Sequence, residues 1–209
     1  MTWLDPQLAL AFLAAATLIT ASPGPDNLMV LATGASRGRA AGVAFGLGCA
    51  LGCLTHTLLA ALGVGALIAA SPAAFTALKF AGGGYLIYLG AMAIRHRGRT
   101  TAGAARPEAT LGRLFARGLV ANAINPKVVL FFLAFLPQFV DARAGAPGWQ
   151  IVQLGLLFTL QAALLFSLLG LAAGRVGAWL TRTPRAARRL DALAGAIFIA
   201  LGLRLLAGR

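Results

Sequence analysis

The segment Ser22-Pro23-Gly24-Pro25-Asp26-Asn27 sets a carboxylate and an amide beside two prolines in the middle of an apolar stretch. Two prolines remove backbone donors and glycine lowers helix propensity, so a regular helix does not continue through these residues. Broken backbone at membrane depth is tolerated where protein or water satisfies the freed groups. An acid in such a place is a functional-site hypothesis by default. A plainer reading ends the first span here and makes Asp26 an interfacial N-cap. Against that reading, Leu28-Met29-Val30-Leu31 resumes the apolar run before the first arginine.

Asn125-Pro126-Lys127 forms a second polar interruption, with Asn122 three residues earlier on the same helical face. Lys127 is followed by Val128-Val129-Leu130-Phe131-Phe132-Leu133, so its ammonium reaches lipid phosphate only if an interface is close. The plainer reading here is a proline-kinked helix with a snorkelling lysine. Together the two interruptions suit a zwitterion. Asp26 and exposed carbonyls can hold an ammonium, and Lys127 with half-helix N-termini can hold a carboxylate. The candidate substrate-binding set is Ser22, Gly24, Asp26, Asn27, Asn122, Asn125 and Lys127, with Tyr85 on a substrate path and Asp26 as the proton-coupling residue.

Other reactive residues carry less. Cys49, Cys53 and His56 fall on one helix stripe. Thiolate and imidazole suit soft metals, but Cys is a common small core residue and one hydrogen bond satisfies His. Core packing is the expectation, with no metal site. Tyr85 and Tyr88 share a face in the same way. The five acids, Asp5, Asp26, Glu108, Asp141 and Asp191, are scattered, and no nucleophile elbow or His-Glu-x-x-His motif occurs. The chain therefore does not read as an enzyme. No phosphate-binding loop for ATP is present and no cofactor is expected.

The elements that must carry these residues are membrane helices. Hydrophobic residues make up 59% of 209 residues and charged residues 11%, too few charges to cover a soluble fold of this size. Six apolar stretches, at about 7–33, 41–70, 73–94, 114–140, 148–173 and a short 190–207, each approach or exceed the ~20 residues that cross the hydrocarbon. The N-terminus lacks the basic region of a secretory signal, so the first stretch is expected to be retained. When the ends of the stretches alternate between two sides, one side receives 13 of the 18 Lys and Arg residues, including Arg37, Arg39, Arg95, Arg113, Arg182 and Arg189. The positive-inside rule makes that side cytoplasmic and turns both termini outward. The net charge of +13 thus marks topology rather than nucleic-acid binding. Trp3, Trp149 and Trp179 fall near span ends, as an interfacial aromatic belt requires.

The fold expected is an all-α integral membrane protein, a single transporter domain over residues 1–209. Its six transmembrane helices form two inverted three-helix halves, about 1–94 and 114–209, joined by a polar cytoplasmic loop at about 95–113. Helices 1 and 4, the first of each half, are the broken ones, and paired interruptions in inverted halves point to a transporter binding site near mid-membrane. Gly42-x-x-x-Gly46, Gly48-x-x-x-Gly52 and Gly170-x-x-x-Gly174 let helices approach closely and are compatible with a homo-oligomer.

In order along the chain, these motifs resemble the LysE/RhtB family of amino-acid exporters. The matching stretches are Ser22-Pro-Gly-Pro-Asp26, Arg37-Gly38-Arg39 through Gly42, the tyrosine-glycine stretch 84–90, Phe115 through Gly118, Asn122 and Asn125-Pro126-Lys127, and then Phe131-Phe132 and Pro137-Gln138-Phe139. The resemblance implies efflux of amino acids across the bacterial inner membrane, driven by the proton motive force. Asp26 looks like the branch that exports neutral amino acids such as homoserine, threonine or leucine. The implied partners are a small amino acid, protons and the lipid bilayer. The alternative function is a heavy-metal cation exporter on the same scaffold, supported only by the Cys49, Cys53 and His56 stripe.

Overall fold

The computed structural model describes residues 4–95, 110–141 and 145–207. Among them every regular element is helical. The first apolar stretch divides into α1 (Pro6–Ala21) and α2 (Pro25–Arg37), bent by 56° at the Ser22–Gly24 break. Asp5 caps α1 through its carboxylate, which accepts from the backbone N–H groups of Gln7 and Leu8. Gly38 ends α2 with φ 93°, a left-handed conformation that favours glycine, and the chain turns directly into α3 (Arg39–Ala70). Next come α4 (Pro72–Arg95), α5 (Leu111–Ala123) and α6 (Pro126–Leu130). A π-helical turn over Phe131–Phe135 and a 3₁₀ turn over Leu136–Phe139 continue α6. Pro137 has no N–H and its ring crowds the carbonyl one turn back, which accounts for the loss of α geometry there. Finally α7 (Pro147–Arg182) and α8 (Pro184–Ala207) complete the chain.

Among the described residues three helices, within α3, α7 and α8, are long and apolar enough to cross a bilayer alone, and counting each bent pair as one span raises the number to five. The remaining apolar stretch is α4, 24 residues long, or about 36 Å at the helical rise. The apolar span within α8, Arg188–Ala207, has 20 residues and is the shortest of the three. α8 begins at Pro184 and runs for 24 residues, because proline suits a first helical turn and arginine is a good helix former, so the helix outruns its apolar core. For the same reason α7 extends past residue 173 to Arg182. At 36 residues it spans about 54 Å, far more than the ~30 Å hydrocarbon, and its arginine-bearing end leaves the lipid. The loop expected at 95–113 lies outside the described residues from 96 to 109, as does Trp3.

The packing crosses between the two parts of the chain. α3 lies along α7 and α4 along α8, while α5 packs on α3 and α2 on α7. Lipid tails are as apolar as leucine, so this packing rests on close van der Waals contact and interhelical hydrogen bonds. At the α3–α5 crossing, a Cβ on Gly48 would strike the backbone of Phe115, and one on Gly118 would strike the backbone of Phe45. Gly42 and Gly170 likewise meet where α3 and α7 cross, but a Cβ on Gly174 would meet nothing within 4 Å, so only half of that small-residue motif packs. A cluster of buried rings fills the centre. Phe131 stands 5.2 Å from Phe158, Phe132 5.0 Å from Phe158, and Phe12 5.3 Å from Phe139.

Candidate functional site

The first break leaves helix-end carbonyls without intrahelical partners, and polar side chains take them up. Ser22 caps α1, and both its N–H (3.1 Å) and its hydroxyl (2.5 Å) donate to the Leu18 carbonyl. The Thr20 carbonyl accepts from Asn27 Nδ2 at 2.9 Å, and the Ser22 carbonyl accepts from Lys127 Nζ at 3.0 Å. Gly24 then starts α2 in extended conformation with no side-chain cap, and Pro25 occupies its first turn. Asp26 is therefore not the cap that the plainer reading made it. It sits inside the first turn of α2, where the helix dipole favours a negative charge.

The second break has its own cap. The backbone N–H of Asn125 donates to the Asn122 carbonyl at 2.8 Å, and Asn125 Oδ1 accepts from the Lys127 N–H at 3.0 Å. Pro126 begins α6, where its missing N–H costs nothing. α5 and α6 meet at 49°.

The two breaks are tied reciprocally. From the second, Asn122 Nδ2 donates to Asp26 Oδ2 at 2.8 Å and Lys127 Nζ donates to the Ser22 carbonyl. Asp26 is 5% exposed, Lys127 7% and Asn122 1%. At that burial an unmatched charge would be costly, so the hydrogen bonds are a condition of the arrangement. α3 fixes the hinge of the brace. Cys53 Sγ donates to Asn122 Oδ1 at 3.5 Å, His56 Nε2 lies 3.0 Å from the Asn122 carbonyl, and Gly52 packs so closely that a Cβ there would sit 2.8 Å from the Cβ of Asn122. Gly24 serves the lysine similarly, since a Cβ there would lie 3.0 Å from Nζ. The ammonium also stands 5.0 Å from the ring centroid of Phe198 on α8, a cation–π contact.

Asp26, Asn27, Asn122, Asn125 and Lys127 line one cavity with Thr20, Cys53 and an apolar wall that includes Ile19, Phe131, Phe158 and Phe166. Its water-accessible space is ≈ 20 Å³, room for about one or two waters. Ser22 and Gly24 stand behind the lining, against Lys127. Tyr85 does not reach it. Tyr85 lies half-buried on α4 with its ring 5.9 Å from that of Tyr88. Among the described residues no three His, Cys, Asp or Glu side chains gather at metal-binding range. Cys53 and His56 face Asn122 instead, and Cys49 is buried in the core. Sequence reasoning missed Thr20, the three phenylalanines of the wall and the support of Asn122 by α3. Only the i, i+3 spacing of Cys53 and His56 hinted that one object faced both.

The arrangement offers an acceptor to a cation and a donor to an anion in one occluded space. Each is held by an internal partner that a ligand's own ammonium or carboxylate could replace. Similarity to known proteins agrees with a transport fold. The chain matches the model of the LysE type translocator over residues 17–209. It is 36% identical over 191 residues to an uncharacterized membrane protein of Pseudomonas aeruginosa, covering 88% of this chain and 87% of that one. It is 31% identical to a leucine efflux protein of Salmonella typhimurium (93% and 92% covered) and 29% identical to a homoserine/homoserine lactone efflux protein of Salmonella typhi (95% and 96% covered). No solved structure matches it significantly. With a family match over nearly its whole length and relatives aligned over about nine-tenths of theirs, the chain belongs to the LysE type translocator family.

Proposed function

We propose that the protein exports neutral amino acids, of the homoserine, threonine or leucine kind, from the cytoplasm of a bacterium across its inner membrane, in exchange for protons. The observation that carries this reading is the cross-brace of two broken helices, which offers Asp26 and Lys127 to one occluded cavity. The substrate ammonium takes the place of Asn122 at Asp26, and its carboxylate takes the place of the Ser22 carbonyl at Lys127. Each exchange trades one buried hydrogen bond for another, so binding leaves no charge unmatched. Because the cavity is too small for an amino acid, entry requires the breaks to part. That links occupancy to movement of the helices. Asp26 then takes the returning proton once the ammonium has left.

The crossed packing of the two parts of the chain supports alternating access. The broken pair of each half packs on the long helix of the other, with α5 on α3 and α2 on α7. We read the halves as inverted and both termini as outward, on the arginine asymmetry. The test is counterflow in proteoliposomes across the twenty amino acids, together with excretion by expressing cells. Asp26→Asn and Lys127→Ala are each expected to lower transport at least about tenfold, the size of one lost charged hydrogen bond. Undiminished transport in both variants would refute the site.

A further inference from the structure

Asp26 and Lys127 line one buried cavity, yet among the described residues they form no ion pair. Opposite charges attract strongly at such burial, so the ammonium needs other partners to stay where it is. An ammonium has three donors. Among the described residues Nζ uses one of them, to the Ser22 carbonyl at 3.0 Å. Its other neighbour is the ring of Phe198, 2% exposed, whose centroid lies 5.0 Å from Nζ. The packing of α8 on α4 sets where that ring stands. Gly195, Phe198 and Gly202 recur at offsets of 3 and 4, on one helical face. A Cβ on Gly195 would lie 2.6 Å from the Gly90 carbonyl oxygen, and one on Gly202 would lie 2.6 Å from that of Gly83. Phe198 thus sits between two close backbone crossings, one turn from each, which fix its place beside the lysine.

We propose that Phe198 is a positioning residue that seats the Lys127 ammonium apart from Asp26 and so keeps both charges of the site available to a zwitterion. This rests on the exporter reading above. The negative face of a buried ring attracts a cation without demanding one hydrogen-bond direction. The ammonium can therefore release the Ser22 carbonyl and take up a substrate carboxylate while the ring keeps it in place. With an aliphatic side chain at position 198, the ammonium turns to the strongest acceptor in the cavity, the Asp26 carboxylate. That internal ion pair occupies both ends of the site at once, and a substrate must break it to bind. Loss of the ring therefore weakens substrate binding rather than slowing the movement of a loaded protein.

The test replaces Phe198 in the full-length protein by phenylalanines carrying one, two or three ring fluorines. Counterflow of leucine and of homoserine is then measured in proteoliposomes. Fluorine drains the negative face of the ring and barely changes its size. KM is expected to rise with each fluorine and to reach roughly tenfold with three, the order of a desolvated cation–π contact, while the maximal rate stays within about twofold of wild type. Phe198→Leu should raise KM at least as far. A ring that only fills space would leave KM flat across the fluorine series, and Phe198→Leu would then lower thermal stability and maximal rate together. A flat series in vesicles that do transport overturns the role of Phe198 alone. Should Phe198→Leu fail to fold, the nearly isosteric fluorine series still decides. Wild-type vesicles that move neither amino acid overturn the exporter reading and, with it, the role of Phe198.

Discussion

Asn122 joins more of the site than any charged residue does. Its amide nitrogen donates to Asp26, its amide oxygen accepts from Cys53, and its carbonyl meets His56 and the Asn125 N–H. Both ends of its amide are therefore spoken for, and its orientation is fixed. Asn122→Ala should strip Asp26 of its donor and destabilise the protein by about 1–3 kcal/mol, the cost of an unpaired buried group. Thermal unfolding in detergent measures that loss, and transport should fall at least about tenfold. Gly24→Ala probes the same brace from the other side. A methyl group 3.0 Å from Nζ must push the Lys127 ammonium aside, so transport should drop while the melting temperature changes little. A variant that transports like wild type would show that the lysine needs no fixed seat.

At the scale of elements, the breaks exist because prolines deny the backbone its ladder, and they persist because side chains from elsewhere take up the freed groups. The α3–α5 crossing sets where those side chains arrive. Gly48 and Gly118 each pack on the opposite backbone, which brings α5 close enough for Cys53 and His56 to reach Asn122. Gly118→Ala should therefore cost about 1–3 kcal/mol through overpacking. Gly112→Ala, on the same helix with nothing within 4 Å of an added Cβ, should gain up to ~1 kcal/mol from helix propensity. Melting temperatures of the two purified variants should move in opposite directions, and equal shifts would show that the crossing is looser than described.

For the whole molecule, the proposed orientation rests on charge, and packing sets the pairing of helices. Thirteen of the 18 basic residues fall on one side of the alternating stretches, and on the positive-inside rule we propose that this side is cytoplasmic and both termini face outward. An alkaline phosphatase fused after Arg209 should be active in intact cells, and a green fluorescent protein fused there should stay dark. The opposite pair of results would invert the topology and the direction of transport drawn from it. The pairing of α4 with α8 and of α3 with α7 crosses the two parts of the chain, so the site cannot form within either part alone.

Local chemistry determined a good deal from sequence alone. The membrane class, the two breaks and the polar residues at them were all legible, because prolines act on their own neighbours and hydropathy needs no partner. The lengths of α7 and α8 were not, since an arginine-rich helix end looks like loop to a hydropathy count. Tyr85 and Tyr88 illustrate the limit of spacing. It placed them on one face, and only the packing of α4 decided that this face does not reach the cavity. The brace itself was equally hidden. Asp26 and Asn122 are 96 residues apart, and Lys127 and Ser22 are 105. No local rule brings such residues within hydrogen-bond reach. Close glycine-mediated helix crossings do, and those are properties of the assembled bundle.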